Sequence, residues 1–153
     1  MQLVIGSDHA GYALKEHLKP IIVGWGHQVE DVGCHCEAPV DYPDIAVEVV
    51  KSLKNGQADL GLLICGTGQG MAIAANKVPG IRAVVCNEGF SARAAREHND
   101  ANILALGARV VGSGTAELIV KQFLESNYSG GRHQRRLDLI RDIETKYLKQ
   151  GEK

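Results

Sequence analysis

A chain of 153 residues, 44% hydrophobic and 23% charged, has the length and apolar content for one domain over 1–153 built on a single core. Its formal net charge of -1 provides no general attraction for nucleic acid or an anionic membrane surface. No apolar run approaches the roughly 20 residues of a membrane helix, and the first residues lack the pattern of an export signal, so a cytoplasmic protein is expected.

Along the chain, short apolar runs alternate with longer amphipathic stretches, as in a parallel sheet with crossover helices. The first strand is expected over residues 3–6. Leu14, Leu18, Ile21 and Ile22 follow at helical spacing, and Pro20 is expected to kink or shorten that helix. A strand at 28–32 and a helix at 45–53 lead to 60–65, whose nearly continuous apolar character suits a central strand covered on both faces. Helices at 71–77, 90–98 and 116–124 then alternate with strands at 82–86 and 103–106. After Ser129-Gly130-Gly131, a last helix over 132–148 places Leu137, Ile140, Ile143 and Leu148 on one side. The pattern predicts an α/β fold, a doubly wound parallel sheet of five strands with a C-terminal helical extension. An exposed apolar stripe on that extension would favour its lying across a second subunit.

Cys65 and Cys86 end apolar runs, which favours reduced thiols. Cys34-His35-Cys36 contains zinc-binding residue types, but no Cys-x-x-Cys supplies a second ligand pair, so no metal is expected. Cys86 reads as a core thiol, whereas Cys34 and Cys36 lie in a loop near the strand ends.

Ligands of open parallel sheets sit beyond the carboxyl ends of the strands. Polar clusters lie at Gly6-Ser7-Asp8-His9-Ala10-Gly11, at Cys65-Gly66-Thr67-Gly68-Gln69-Gly70, and at His98-Asn99-Asp100 before the fifth strand. The topology rule is expected to gather all three into one cleft. In the Cys65 loop, three glycines let backbone amides turn inward, and the following helix adds its positive end; both suit an oxygen anion and favour a thiolate. A nucleotide-hydrolase loop would need Gly-Lys-Ser/Thr where Gly70-Met71-Ala72 stands, and a thiol-phosphatase loop would need arginine where Met71 stands. Plainer readings stand beside these: Gly-rich turns, Asp8 as a helix cap and His98-Asn99 as a helix end. Tyr42, between Asp41 and Pro43, reads as a turn aromatic that could line a sugar pocket. Arg132 and Arg136, four apart near a helix N-terminus, oppose the helix dipole; a bound phosphate would resolve that conflict. The alternative is a solvated basic face balanced by Asp138 and Asp142.

These motifs, with Asp41-Tyr42-Pro43, Ala74-Ala75-Asn76-Lys77, Glu97-His98-Asn99-Asp100-Ala101-Asn102 and Gly130-Gly131-Arg132-His133-Gln134, make the chain resemble the B-type ribose-5-phosphate isomerases, a family grouped with bacterial galactose-6-phosphate isomerase subunits. The resemblance implies a Rossmann-like fold, a small sugar phosphate as substrate, interconversion of ribose 5-phosphate and ribulose 5-phosphate, and neither metal nor organic cofactor. It also implies a homodimer or dimer of dimers with shared active sites. By resemblance, Cys65 is the base that takes the proton from the sugar carbon. Some members have a glutamate on the following helix instead; that position is Met71 here. Thr67 would help move a proton between the sugar oxygens, and the amides of Gly66, Gly68, Gln69 and Gly70 would hold the enediolate. His98, with Asp8, would open the furanose ring. His9, Arg109, Arg132 and Arg136 resemble phosphate ligands, and Tyr42, Asn99 and His133 resemble pocket residues. A six-carbon sugar phosphate is the alternative substrate, and a non-catalytic nucleotide-binding module is the alternative of another class.

Overall fold

The apolar run at 60–65 becomes the middle strand of the sheet, buried at every position. The computed structural model describes residues 1–148 and places, in order, β1 (Gln2–Ser7), α1 (Tyr12–Gly24), β2 (Gln28–Asp31), α2 (Tyr42–Lys54), β3 (Leu60–Cys65), α3 (Gln69–Ala75), β4 (Ala83–Val85), α4 (Gly89–Asn99), β5 (Ile103–Gly107) and α5 (Ser113–Glu125). A 3₁₀ turn at Gly131–His133 then leads into α6 (Gln134–Leu148). All five strands are parallel, in the order β2-β1-β3-β5-β4.

Because β3 carries apolar side chains on both faces, helices cover both. Leu14, Leu18 and Ile22 of α1, Ala92 and Ala95 of α4, and Ile119 and Phe123 of α5 pack in one layer with Ile5, Leu62, Ile64 and Leu104. Ala46, Val49 and Val50 of α2 and Met71, Ala72 and Ala75 of α3 pack in the other with Val4, Leu63 and Ile103. The chain leaves β1 toward β2 on one side and later returns to β3 on the other. The crevice between the β1 and β3 exits is therefore the topological switch point.

Several boundaries differ from the sequence expectations. Pro20 does not shorten its helix, because α1 runs through it to Gly24. Pro20 faces solvent, while Leu18 and Ile22 are buried on either side of it, and that burial offsets the missing backbone hydrogen bond. α2 begins at Tyr42, not 45, since extended Asp41 and Pro43 in the first turn form a compatible helix start. The final α-helix begins at Gln134, not 132: the positive-φ pair Gly130 and Gly131 leads into a 3₁₀ turn that takes up Arg132 and His133. No residue of α6 is buried, and Leu139, Ile140, Ile143, Tyr147 and Leu148 are exposed. The extension thus leaves its apolar stripe uncovered by its own sheet.

Candidate active site

The exit of β3 shapes the loop that carries Cys65. Gly68 adopts φ 78, a left-handed conformation that favours glycine, and its N–H donates to Cys65 Sγ at 3.1 Å. The sulfur is therefore met by a main-chain donor from its own loop. Cys65 is only 6% exposed, yet it stands at the strand end, flanked by partly exposed Gly66 and exposed Thr67. Gln69 N–H donates to Thr67 Oγ1 at 3.4 Å. The β5 exit wraps this loop: Ala108 N–H donates to Cys65 O at 2.8 Å and Arg109 N–H to Gly66 O at 3.0 Å. Arg109's side chain lies beside Gly66, and the Tyr42 ring lies against Gly70, where an added Cβ would come within 2.8 Å of it.

Asp8 sits at the neighbouring β1 exit, 7% exposed, and its N–H donates to Ile64 O at 3.2 Å. Its carboxylate accepts the Gly11 N–H at 3.0 Å within the turn before α1; the helix N-cap is Gly11, with no side-chain cap, so Asp8 is not the helix cap that its residue type suggests. Gly11 packs so closely on Ile64 O that no β-carbon fits. This close approach seats the turn holding Asp8 and exposed His9 against β3, next to Cys65. Asp8, His9, Tyr42, Cys65, Gly66, Thr67, Gly68, Gln69, Gly70 and Arg109 thus share the carboxyl edge of the sheet, beside the switch point. Met71, buried in the helical layer, offers no carboxylate there.

Lys15, which the sequence reading passed over, supports this edge from beneath. It is 0% exposed, donates to both Asp31 carboxylate oxygens at 2.7 Å, and donates to Cys34 O at 2.9 Å. Cys34 N–H in turn donates to Ser7 O at 2.9 Å, tying the loop after β2 to the residue before Asp8. Burial raises the Asp31 carboxyl, but Lys15, Lys19 and the Gly33 N–H outweigh it, and the group titrates below the ordinary carboxylate range. A lysine three residues before buried Leu18 was the available signal. As expected, Cys86 is a core thiol; burial, with Glu88 nearby, pushes it up to about 11. All four cysteines are free, and among the described residues no group of three or more His, Cys, Asp or Glu is arranged to hold a metal ion. No helix of the described residues is long and apolar enough to cross a membrane.

The remaining predicted residues lie elsewhere, which corrects the expectation of one cleft within one chain. Gly61 pairs with Ile103 at one end of β5 and Cys65 with Gly107 at the other, a separation of about 13 Å by strand rise. His98 and Asn99 precede β5 and therefore stand at the amino edge, opposite Cys65. There the His98 and His133 rings stack with centroids 4.4 Å apart and planes 9° from parallel. Ser129 N–H donates to Glu97 O at 2.9 Å, which holds the 3₁₀ turn against α4. Burial, together with His98, Arg132 and Arg136, holds the His133 imidazole below its ordinary value. Arg132 and Arg136 are exposed and line an open cavity with Arg135 and Leu139. The chain therefore carries two polar clusters: a thiol with a Gly-rich loop at one edge, and imidazoles with guanidiniums at the other.

Comparison with known proteins agrees with the fold. The family described as Ribose/Galactose Isomerase matches residues 3–140. The chain is similar to ribose-5-phosphate isomerase B of Escherichia coli, 47% identical over 143 residues, covering 94% of this chain and 96% of the relative. Among solved structures it resembles Clostridium thermocellum ribose-5-phosphate isomerase B, with a TM-score of 0.94, 52% identity, and coverage of 96% of this chain and 99% of that one. It also resembles the Mycoplasma genitalium ribose-5-phosphate isomerase B with bound ribulose-5-phosphate, with a TM-score of 0.88, 42% identity, and coverage of 94% and 96%.

Proposed function

The chain belongs to the ribose/galactose isomerase family and is an aldose–ketose isomerase, and on that premise we propose that it interconverts ribose 5-phosphate and ribulose 5-phosphate with Cys65 as the base. The observation that carries the cysteine assignment is the Gly68 N–H directed at Cys65 Sγ at 3.1 Å, at the mouth of the switch-point crevice. A proton beside a carbonyl is weakly acidic, so its removal needs a placed base and a stabilised enediolate. In the aldose-to-ketose direction, the Cys65 thiolate takes the C2 proton, leaving an enediolate with its negative charge on O1. The enediolate rests against the amides of Gly66, Gly68, Gln69 and Gly70. Thr67 relays the O2 proton to O1 as the C2 carbonyl forms, and Cys65 returns its proton to C1. His9 and Arg109, at the same edge, engage the phosphate. Met71, buried among apolar side chains, occupies the position where some family members carry a glutamate, so that alternative base is missing here.

The site is completed by a second copy of the chain, which contributes His98, to open the furanose ring with Asp8; Asn99 and His133, to line the pocket; and Arg132 and Arg136, to hold the phosphate. Two observations support this: the two clusters lie on opposite edges, and α6 presents an uncovered apolar stripe that a symmetric dimer would bury. A cytoplasmic setting accords with four free thiols.

Turnover of ribose 5-phosphate to ketose by the purified chain tests the activity. Cys65→Ala and His98→Asn, each inactive on this substrate, test the shared site when unfolded and refolded together. Random pairing yields heterodimers with one intact site, and recovery of about a quarter of wild-type turnover is expected. An inactive mixture would overturn the shared site, and substantial turnover by Cys65→Ala alone would overturn the assignment of the base.

A further inference from the structure

Arg82 stands just before β4, remote from Cys65, and by sequence it is simply the start of a strand. Its side chain nevertheless reaches the last turn of α4. The Nε–H donates to Asn99 O at 3.1 Å and to Asp100 O at 2.8 Å, while Nη2 pairs with Asp100 Oδ2 at 2.8 Å. Arg96 holds the other side, with Nη1 donating to Asp100 Oδ1 at 3.0 Å and to Ala101 O at 2.7 Å. Asp100 adopts φ 44, the only non-glycine positive φ among the described residues, a conformation that a β-carbon disfavours. The strained residue lies two positions after His98. Arg82 is itself fixed, its N–H donating to Asn102 Oδ1 at 2.8 Å and its carbonyl accepting the Asn102 N–H at 3.1 Å.

We propose that Arg82 is a positioning residue for His98: its guanidinium, spread over the Asn99 and Asp100 carbonyls and the Asp100 carboxylate, locks the α4 terminus so that the imidazole keeps the orientation ring opening requires. The inference rests on His98 being the ring-opening group. A helix C-terminus has unsatisfied carbonyls and frays readily unless capped, and a cation there also complements the dipole. An isolated exposed ion pair contributes little, whereas a planar fork serving three acceptors at once fixes geometry. The His133 ring defines one face of the imidazole, and Arg82 fixes the backbone from which it projects. Together they leave His98 little freedom to swing.

The test separates ring opening from enolisation. Ribulose 5-phosphate carries its phosphate on O5 and cannot close a furanose through its C2 ketone, so solvent deuterium enters its C1 position by enolisation alone. Arg82→Gln is expected to lower ribose 5-phosphate turnover about tenfold while changing deuterium exchange into ribulose 5-phosphate less than about twofold. Arg82→Lys, with charge but no fork, should remain impaired. Equal loss of both activities would show a purely structural role and overturn the proposal, as would no loss of either. If Arg82→Gln does not fold, Asp100→Asn, which tolerates the left-handed conformation, is expected to split the two activities in the same direction by about threefold, and an absence of that split overturns the proposal. His98→Asn distinguishes the premise: it too should lose turnover and keep exchange. Should it retain both, the ring-opening role of His98 fails and the proposal falls with it; should it split while Arg82→Gln does not, only the brace is wrong.

Discussion

Gly107→Ala at the end of β5 tests how closely the reaction depends on the anion loop. A β-carbon there would lie 2.8 Å from Thr67 C and 2.9 Å from its Cα and O, all backbone atoms without a rotamer to escape through. That is about half an ångström inside ordinary contact, so the loop must move off β5 by a comparable distance. The shift acts where the Gly68 N–H reaches Cys65 Sγ and where amides would face the enediolate. Misplacing such donors is expected to lower kcat about 10²-fold, equivalent to about 2.7 kcal/mol. Overpacking should also cost about 1–3 kcal/mol of stability, or roughly 3–9 °C in Tm for a chain of this length. Gly112→Ala is the control: an added Cβ there meets nothing within 4 Å, and φ is -73. The assays are ketose formation and thermal melting. Gly107→Ala with more than half of wild-type kcat would refute the claim that the close seating of this loop controls the chemistry.

Arg132→Ala and Arg136→Ala should each raise KM for the sugar phosphate about tenfold or more, from loss of a charge-assisted contact, while the alkylation rate of Cys65 stays unchanged; normal affinity in both would remove them from the phosphate site. For His133, burial and the positive neighbours disfavour the protonated ring in the folded state. Its contribution to stability is therefore neutral well above pH 6.5 and becomes unfavourable as pH falls below that ordinary value. A phosphate anion bound beside Arg132 and Arg136 opposes those charges, so the His133 titration, followed by NMR of the imidazole C–H, should move upward on adding substrate. An unmoved or lowered titration would place the anion elsewhere.

The local chemistry was legible from residues close together in the chain. Cys65 through Gly70 marked an inward-facing loop because glycines permit the left-handed turn that Gly68 takes, and the apolar run before it marked a strand covered on both faces. The stripe on α6 was legible for the same reason, since helical spacing alone aligns Ile140, Ile143 and Leu148. Pro20 misled because the burial of Leu18 and Ile22 around it is a tertiary term, larger than the local penalty. Lys15 escaped notice because only the fold brings Asp31 and the Cys34 carbonyl to a lysine on the inner side of α1.

What the chain's own order of residues determined was an α/β sheet with a thiol at a Gly-rich strand exit and a basic turn ahead of an amphipathic helix. Tertiary structure decided that Cys65 and His98 stand at opposite edges, because parallel strands run in one direction and a residue entering a strand lies a full strand length from one leaving its neighbour. It also decided what Arg82 grips, since β4 and the end of α4 meet only through sheet pairing. Residue spacing sets a turn or a helical face, whereas strand polarity and pairing set which side chains can meet.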